Sequence, residues 1–176
     1  MTTKNYNITY SDNTLVVTMK RKPNWLILPM TGLWILGWIG ILLTIIYGLI
    51  TDSDKLDGEI ILFMTFSFFT GLFVLRIFLW HLSGVEKITI DNKELRIEKL
   101  GTILTIPSKF EIEQIEYISN TERPPTPRWI KFWGLGGGQI EFVYLGQTKY
   151  FGQSLTFEEA TKIIESMKEK LKNTTR

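Results

Sequence analysis

The groups in this chain best able to do chemistry are few. Five residues at 134–138, Gly-Leu-Gly-Gly-Gly, have the look of a phosphate-binding loop. Such a loop needs Lys-Ser/Thr after the glycines and then a helix. Here Gln139 follows, and Ile140, Phe142 and Tyr144 alternate as in a strand, so the glycines are expected to form a permissive turn. His81 is the sole histidine, and no nucleophile or second base is grouped with it. It stands next to Trp80 near the end of an apolar run and is expected at a membrane interface. Glu111, Glu113 and Glu116 read as the solvated face of a strand rather than as a metal site. With no cysteine, thiolate nucleophiles, zinc-thiolate sites and disulfides are excluded. The expectation is therefore a protein that is not an enzyme, with no catalytic residue, metal or cofactor.

One cluster points to recognition instead. Arg123, Arg128, Trp129 and Lys131, with Trp133, surround the proline-rich stretch NTERPPTP at 120–127. Cations interleaved with aromatics suit a lipid head group or an acidic protein segment. The competing reading is an edge strand kept soluble by its charges.

These residues must be positioned by something, and the chain is dominated by two apolar runs, 25–50 and 60–82. About 20 apolar residues span a hydrocarbon core roughly 30 Å thick. The first run has no charge, and the second has only Arg76 and His81, near its end. Both are expected to be transmembrane helices, joined as an antiparallel hairpin by the acidic linker TDSDKLDGE. The first run begins too late and is too long for a signal-peptide core. Lys20, Arg21 and Lys22 precede it, whereas Asp52, Asp54, Asp57 and Glu59 fill the linker, so both chain ends are expected on the cytoplasmic side. Trp25 and Trp80 are expected at the membrane interface, and Arg76 is expected to snorkel to the same head groups. Gly40, Thr44 and Gly48, and Ser67 and Gly71, are small residues at helical spacing. They are expected to pack the hairpin on itself, a homodimer seam being the alternative.

The remainder is nearly neutral. Residues 85–176 carry 14 Lys and Arg against 13 Asp and Glu, a balance that argues against nucleic acid as a partner. Alternation predicts a β-hairpin in residues 1–22, with Tyr6, Ile8 and Tyr10 on one arm and Leu15, Val17 and Met19 on the other. Because an isolated hairpin is barely stable, it should dock on the later sheet or on the membrane. About seven further strands are expected at 85–90, 94–98, 102–106, 110–117 (with a bulge near Gln114), 128–133, 140–145 and 148–151. Thr156 and Glu159 form a capping box opening a helix over 157–172, whose stripe is Phe157, Ala160, Ile163, Ile164, Met167 and Leu171.

Three stretches carry a resemblance: GVEKITIDNKELRIEKLG, FEIEQIEYI and KYFGQSLTFEEATKIIESMKEKL. Together they resemble the first hairpin, central strand and closing unit of bacterial two-span membrane proteins with a cytoplasmic pleckstrin-homology-like (PH-like) domain, over roughly residues 85–171. The resemblance implies an α+β chain of three parts. These are an N-terminal β-hairpin (1–24), a transmembrane hairpin (25–82) and a PH-like antiparallel barrel or sandwich closed by a C-terminal helix (83–176). It further implies an integral protein of the bacterial cytoplasmic membrane. Its expected role is a membrane-anchored, non-enzymatic binding or scaffold module, and the alternative is an assembly subunit of a transport or other membrane complex. The partners expected are the bilayer and either a protein or a second copy joined through the helices. Fold alone does not assign function.

Overall fold

The computed structural model describes residues 5–11, 13–51, 58–121 and 126–174. Two antiparallel sheets, two long apolar helices and a C-terminal helix make an α+β chain. Helices α1 (Ile27–Thr51) and α2 (Gly58–Ser83) are both long and apolar enough to cross a bilayer. Of the most apolar stretch of each, none of α1 and 11% of α2 is buried by protein. Core helices of a soluble domain would be covered, whereas these turn Leu33, Leu36, Leu62 and Phe66 outward. Asn24 caps α1, its Oδ1 accepting from the backbone N–H of Leu26 and Ile27.

Within the hairpin, Gly71 of α2 lies directly against α1. A Cβ built there would run into the Trp38 ring. Trp38 stacks on Trp34 and donates its indole N–H to Ser67 Oγ at 3.1 Å. Gly40 and Gly48 do not share this seam, since a Cβ at either would meet nothing within 4 Å. The expected self-packing thus holds for Ser67 and Gly71 and is corrected for Gly40 and Gly48, which α2 leaves uncovered.

The first sheet has the order β1-β2-β3-β4-β5: β1 (Tyr6–Ser11), β2 (Thr14–Lys20), β3 (Val85–Ile90), β4 (Glu94–Leu100) and β5 (Ser108–Glu111). The N-terminal hairpin is therefore part of the main sheet. β2 precedes α1, β3 follows α2, and they pair from Leu15↔Ile90 to Lys20↔Val85. Asp91 closes the β3–β4 turn by accepting from the N–H groups of Lys93 and Glu94. A 3-10 turn, Ile112–Gln114, carries the chain out of this sheet.

The second sheet contains β6 (Ile115–Asn120), β7 (Ile140–Tyr144) and β8 (Gln147–Phe151). Its hairpin turns at Leu145-Gly146, both at positive φ as a type I′ turn requires. This is one residue earlier than the Gly146-Gln147 expected. The sheets face each other across one core. Leu15, Val17, Ile88 and Leu95 meet Ile118, Ile140 and Phe142, and Phe110 packs edge-on to Phe142 at 4.9 Å. Closure into a barrel is not seen among the described residues, where each strand pairs only within its own sheet.

Helix α3 (Arg128–Phe132) lies between β6 and β7, and α4 (Phe157–Thr174) ends the described chain. The capping box of α4 forms: Glu159 N–H donates to Thr156 Oγ1, and Thr156 N–H donates to Glu159 Oε2. Ala160, Ile163, Ile164 and Met167 are buried in the common core, while Phe157 is half exposed.

Two expected strands are corrected. Residues 128–132 form helix instead and Trp133 lies in the turn that follows; Trp129 and Trp133 stand one helical turn apart and follow Pro127, a residue suited to a helix start. Residues 102–106 form no strand, since the segment is held against α2 instead. Thr102 Oγ1 donates to the Arg76 carbonyl, and Ser83 Oγ donates to the Gly101 carbonyl.

Candidate functional site

The sheet domain meets the helices at one junction, and most of the groups of interest are there. It begins where β2 and β3 run into the long helices, with Arg21 N–H donating to the Gly84 carbonyl. Trp80, expected at the lipid interface, is instead buried at this seam, as is His81, at 6% and 1% exposed. The loop after α3 covers them. Gly134 and Gly136 take positive φ, and at Gly134 a Cβ would lie 2.8 Å from Trp80 and 3.0 Å from the Arg21 guanidinium. The glycine cluster is thus a turn whose missing side chains let Arg21 and Trp80 lie beneath it. Thr126 Oγ1 anchors it by accepting from Gly137 N–H.

Two cations flank the Trp80 ring, the Arg21 guanidinium carbon at 5.7 Å from its centroid and Lys99 Nζ at 5.4 Å. Buried Glu86 lies near both and accepts from the backbone N–H of Gly152 and Gln153. Burial pushes its carboxyl upward, opposed by Lys99, by those two N–H groups and by Arg21. Burial lowers Arg21 to about 10, with Glu86 opposing, so it remains a cation at neutral pH. Gln153 ties the cluster together. Its Oε1 accepts from Arg21 Nη1 at 2.7 Å, and its Nε2 donates to the Gly136 carbonyl.

Two open cavities lie beside this cluster. The larger, about 450 Å³, runs between the start of α1 and the end of α3, lined by Arg21, Lys22, Trp25, Phe132, Gln153 and Ser154, among others. The smaller, about 240 Å³, lies between the end of α2, β4 and the glycine loop. Arg76, Trp80, Lys99, Thr102 and Trp133 line it, with the Gly134–Gly136 segment. Exposed apolar side chains occur on the segments around the two cavities: Trp25, Leu104, Ile106, Trp129 and Phe132, with Ile106 at 90%. The 102–106 segment is bonded to α2 at Arg76, seven residues or about 10 Å before the end of that helix.

The expected recognition cluster is only partly placed here. Arg123 lies outside the described residues. Arg128 and Lys131 belong to α3, but their side chains also lie outside what is described. Trp129 is exposed. Lys20 and Lys22 are exposed, and Arg76 is half-buried in the smaller cavity. Glu111, Glu113 and Glu116 are exposed, and two of them bond locally, Glu111 with Gln114 and Glu116 with Gly146 N–H.

Sequence reading missed Glu86, Lys99 and Gln153. Glu86 and Lys99 looked like ordinary polar residues of an alternating hairpin. The one signal was position: with Ile88 and Ile90 buried, Glu86 falls on the inward face of β3. Gln153 carried no signal. No protein-family model, curated protein or solved structure matches this chain.

Proposed function

We propose that this chain is a membrane-anchored, non-enzymatic binding module. Its two-sheet domain is held against the leaflet in which α2 ends. In this reading the hairpin crosses the bilayer, both flanking segments are cytoplasmic, and the domain is of PH-like type. The observation that carries it is the apolar rim at the helix ends. Leu104, Ile106, Trp25 and Trp129 are exposed beside two uncovered apolar helices, where a soluble protein gains nothing by displaying them. An interfacial rim buries those side chains at the head-group boundary and fixes the orientation of the domain. Tethering then makes weak contacts effective through raised local concentration.

The absence of native cysteine makes the test direct. Cysteine placed at Ile106 and labelled with an environment-sensitive fluorophore should give blue-shifted emission in proteoliposomes. It should also be quenched by lipids brominated near the head group. The same label at Asn92, in the β3–β4 turn, should remain water-like. Water-like emission at position 106 would refute docking.

A second reading, an assembly subunit of a membrane complex, is favoured by one observation: Gly37, Gly40 and Gly48 on α1 are left unpacked. Photo-crosslinkers at Gly40 and at Trp129 separate the two. Protein capture at Gly40 alone supports the subunit reading.

A further inference from the structure

The smaller junction cavity contains two half-buried cations, Arg76 from α2 and Lys99 from β4. Neither has a carboxylate within ion-pair distance among the described residues, in contrast to Arg96, which pairs with Glu94 and Glu98, and Lys109, which pairs with Glu94. Glu86, the acid nearest Lys99 in influence, is occupied by two backbone N–H groups. Among the described residues the junction thus gathers three cations, Arg21, Arg76 and Lys99, around one buried carboxylate, and partly withdrawing them from water with a single counter-ion among them favours an added anion. The remaining lining offers what an anion needs. There is the backbone of a glycine turn, and there are two indoles, Trp80 and Trp133. In the spanning reading the cavity is also at a suitable depth. The 26 residues of α2 measure about 39 Å against roughly 30 Å of hydrocarbon, so the last turns, about 10 Å after Arg76, project beyond it when the helix starts at the opposite boundary, which puts Arg76 at the head-group level. The adjoining segment exposes Leu104 and Ile106, apolar side chains suited to lying among acyl chains.

We propose that the Arg76–Lys99 cavity binds the phosphate of an anionic lipid in the leaflet where α2 ends. This rests on the reading that the hairpin spans the bilayer. Arg76 meets the phosphate from the membrane side with a planar fork of donors, and Lys99 meets it from the sheet side as a point charge. Thr102 lines the same cavity, but its hydroxyl is already donated to the Arg76 carbonyl, which fixes the backbone at this point. The ligand is a lipid rather than a free phosphate ester because its glycerol and acyl portions would lie along the exposed faces of α2 and the 102–106 segment.

The test uses the full chain in a zwitterionic detergent, titrated with phosphatidylglycerol or phosphatidylcholine and read by native mass spectrometry. Wild type should retain one phosphatidylglycerol at least tenfold more tightly than phosphatidylcholine. Arg76→Gln and Lys99→Gln should each weaken retention by about tenfold, the scale of one charge-assisted hydrogen bond. Arg76→Lys and Lys99→Arg should restore most of it, which separates lost charge from misfolding. Lys22→Gln, in the other cavity, should change little. Equal retention of the two lipids, or full retention by the Arg76→Gln/Lys99→Gln double variant, would overturn the proposal. Competition by soluble glycerol phosphate at equal concentration would overturn the lipid as its source. Extraction of the chain from membranes by alkaline wash would instead defeat the spanning reading itself.

Discussion

Alanine at Gly71 should loosen the membrane hairpin, and it should do so only while Trp38 is present. The added Cβ would sit 2.7 Å from Cδ2 of the indole and closer still to Cε2 and Cζ2, where ordinary contact begins at 3.4 Å. The ring cannot move aside freely, because it stacks on Trp34 and its N–H is bonded to Ser67. Either the helices separate or the hydrogen bond breaks. Overpacking of this kind costs about 1–3 kcal/mol. In a Trp38→Ala background the obstacle is gone, so the same substitution should cost less than about 0.5 kcal/mol, a coupling of roughly 1–2.5 kcal/mol. Gly37→Ala is the internal control, since its Cβ meets nothing within 4 Å. Reversible unfolding in mixed micelles, followed by far-ultraviolet circular dichroism, measures wild type, the two single variants, the double variant and the control. If Gly71→Ala costs the same with and without Trp38, the helices do not cross as described here.

Phe142→Ala tests the contact between sheets. Its ring is fully buried and touches Phe110 of the opposite sheet and Phe151 of its own, so a loss of about 3–5 kcal/mol is expected in thermal or denaturant unfolding. A loss below about 1 kcal/mol would mean that the sheets do not share a core. Glu86→Gln tests the buried carboxyl. Its folded pKa is raised, so the folded state favours the protonated form. Stability from this group is therefore greatest below its ordinary value of 4.5 and declines as pH rises from there to the folded value. Glutamine keeps an acceptor for Gly152 and should flatten that decline in a Tm-versus-pH series. An unchanged slope would exclude Glu86 as its source.

The large elements were legible because each rests on a strong local signal. Length and lack of charge set the two long apolar helices. Alternation between turn residues set the hairpins Tyr6–Lys20 and Val85–Leu100. A capping box and a six-residue stripe set α4. Where the reading failed, a tertiary contact outweighed a local preference. Thr102–Ile106 alternates well enough for a strand, but the Thr102 hydroxyl and the Gly101 carbonyl just before it are taken by the end of α2. Trp80 and His81 look interfacial by position and composition, and only the folding-back of residues 133–136 buries them. The 128–132 helix was available in the i, i+4 spacing of its tryptophans, but a short apolar-basic run satisfies either period. The junction site was illegible for a simpler reason. Arg21, Arg76, Lys99 and Gln153 come from four separate segments, and no spacing rule connects them.

The pairing of β2 with β3 has a consequence for biogenesis. The strand made before the first span finds its neighbour only after the second span has been synthesised. If both helices cross the bilayer as proposed, the five-stranded sheet acts as a clasp fastened after the two crossings, and a chain in which one rod fails to insert has its two half-sheets stranded on opposite sides of the lipid. Quality control of the watery part of this protein then doubles as a check that its greasy part was threaded correctly.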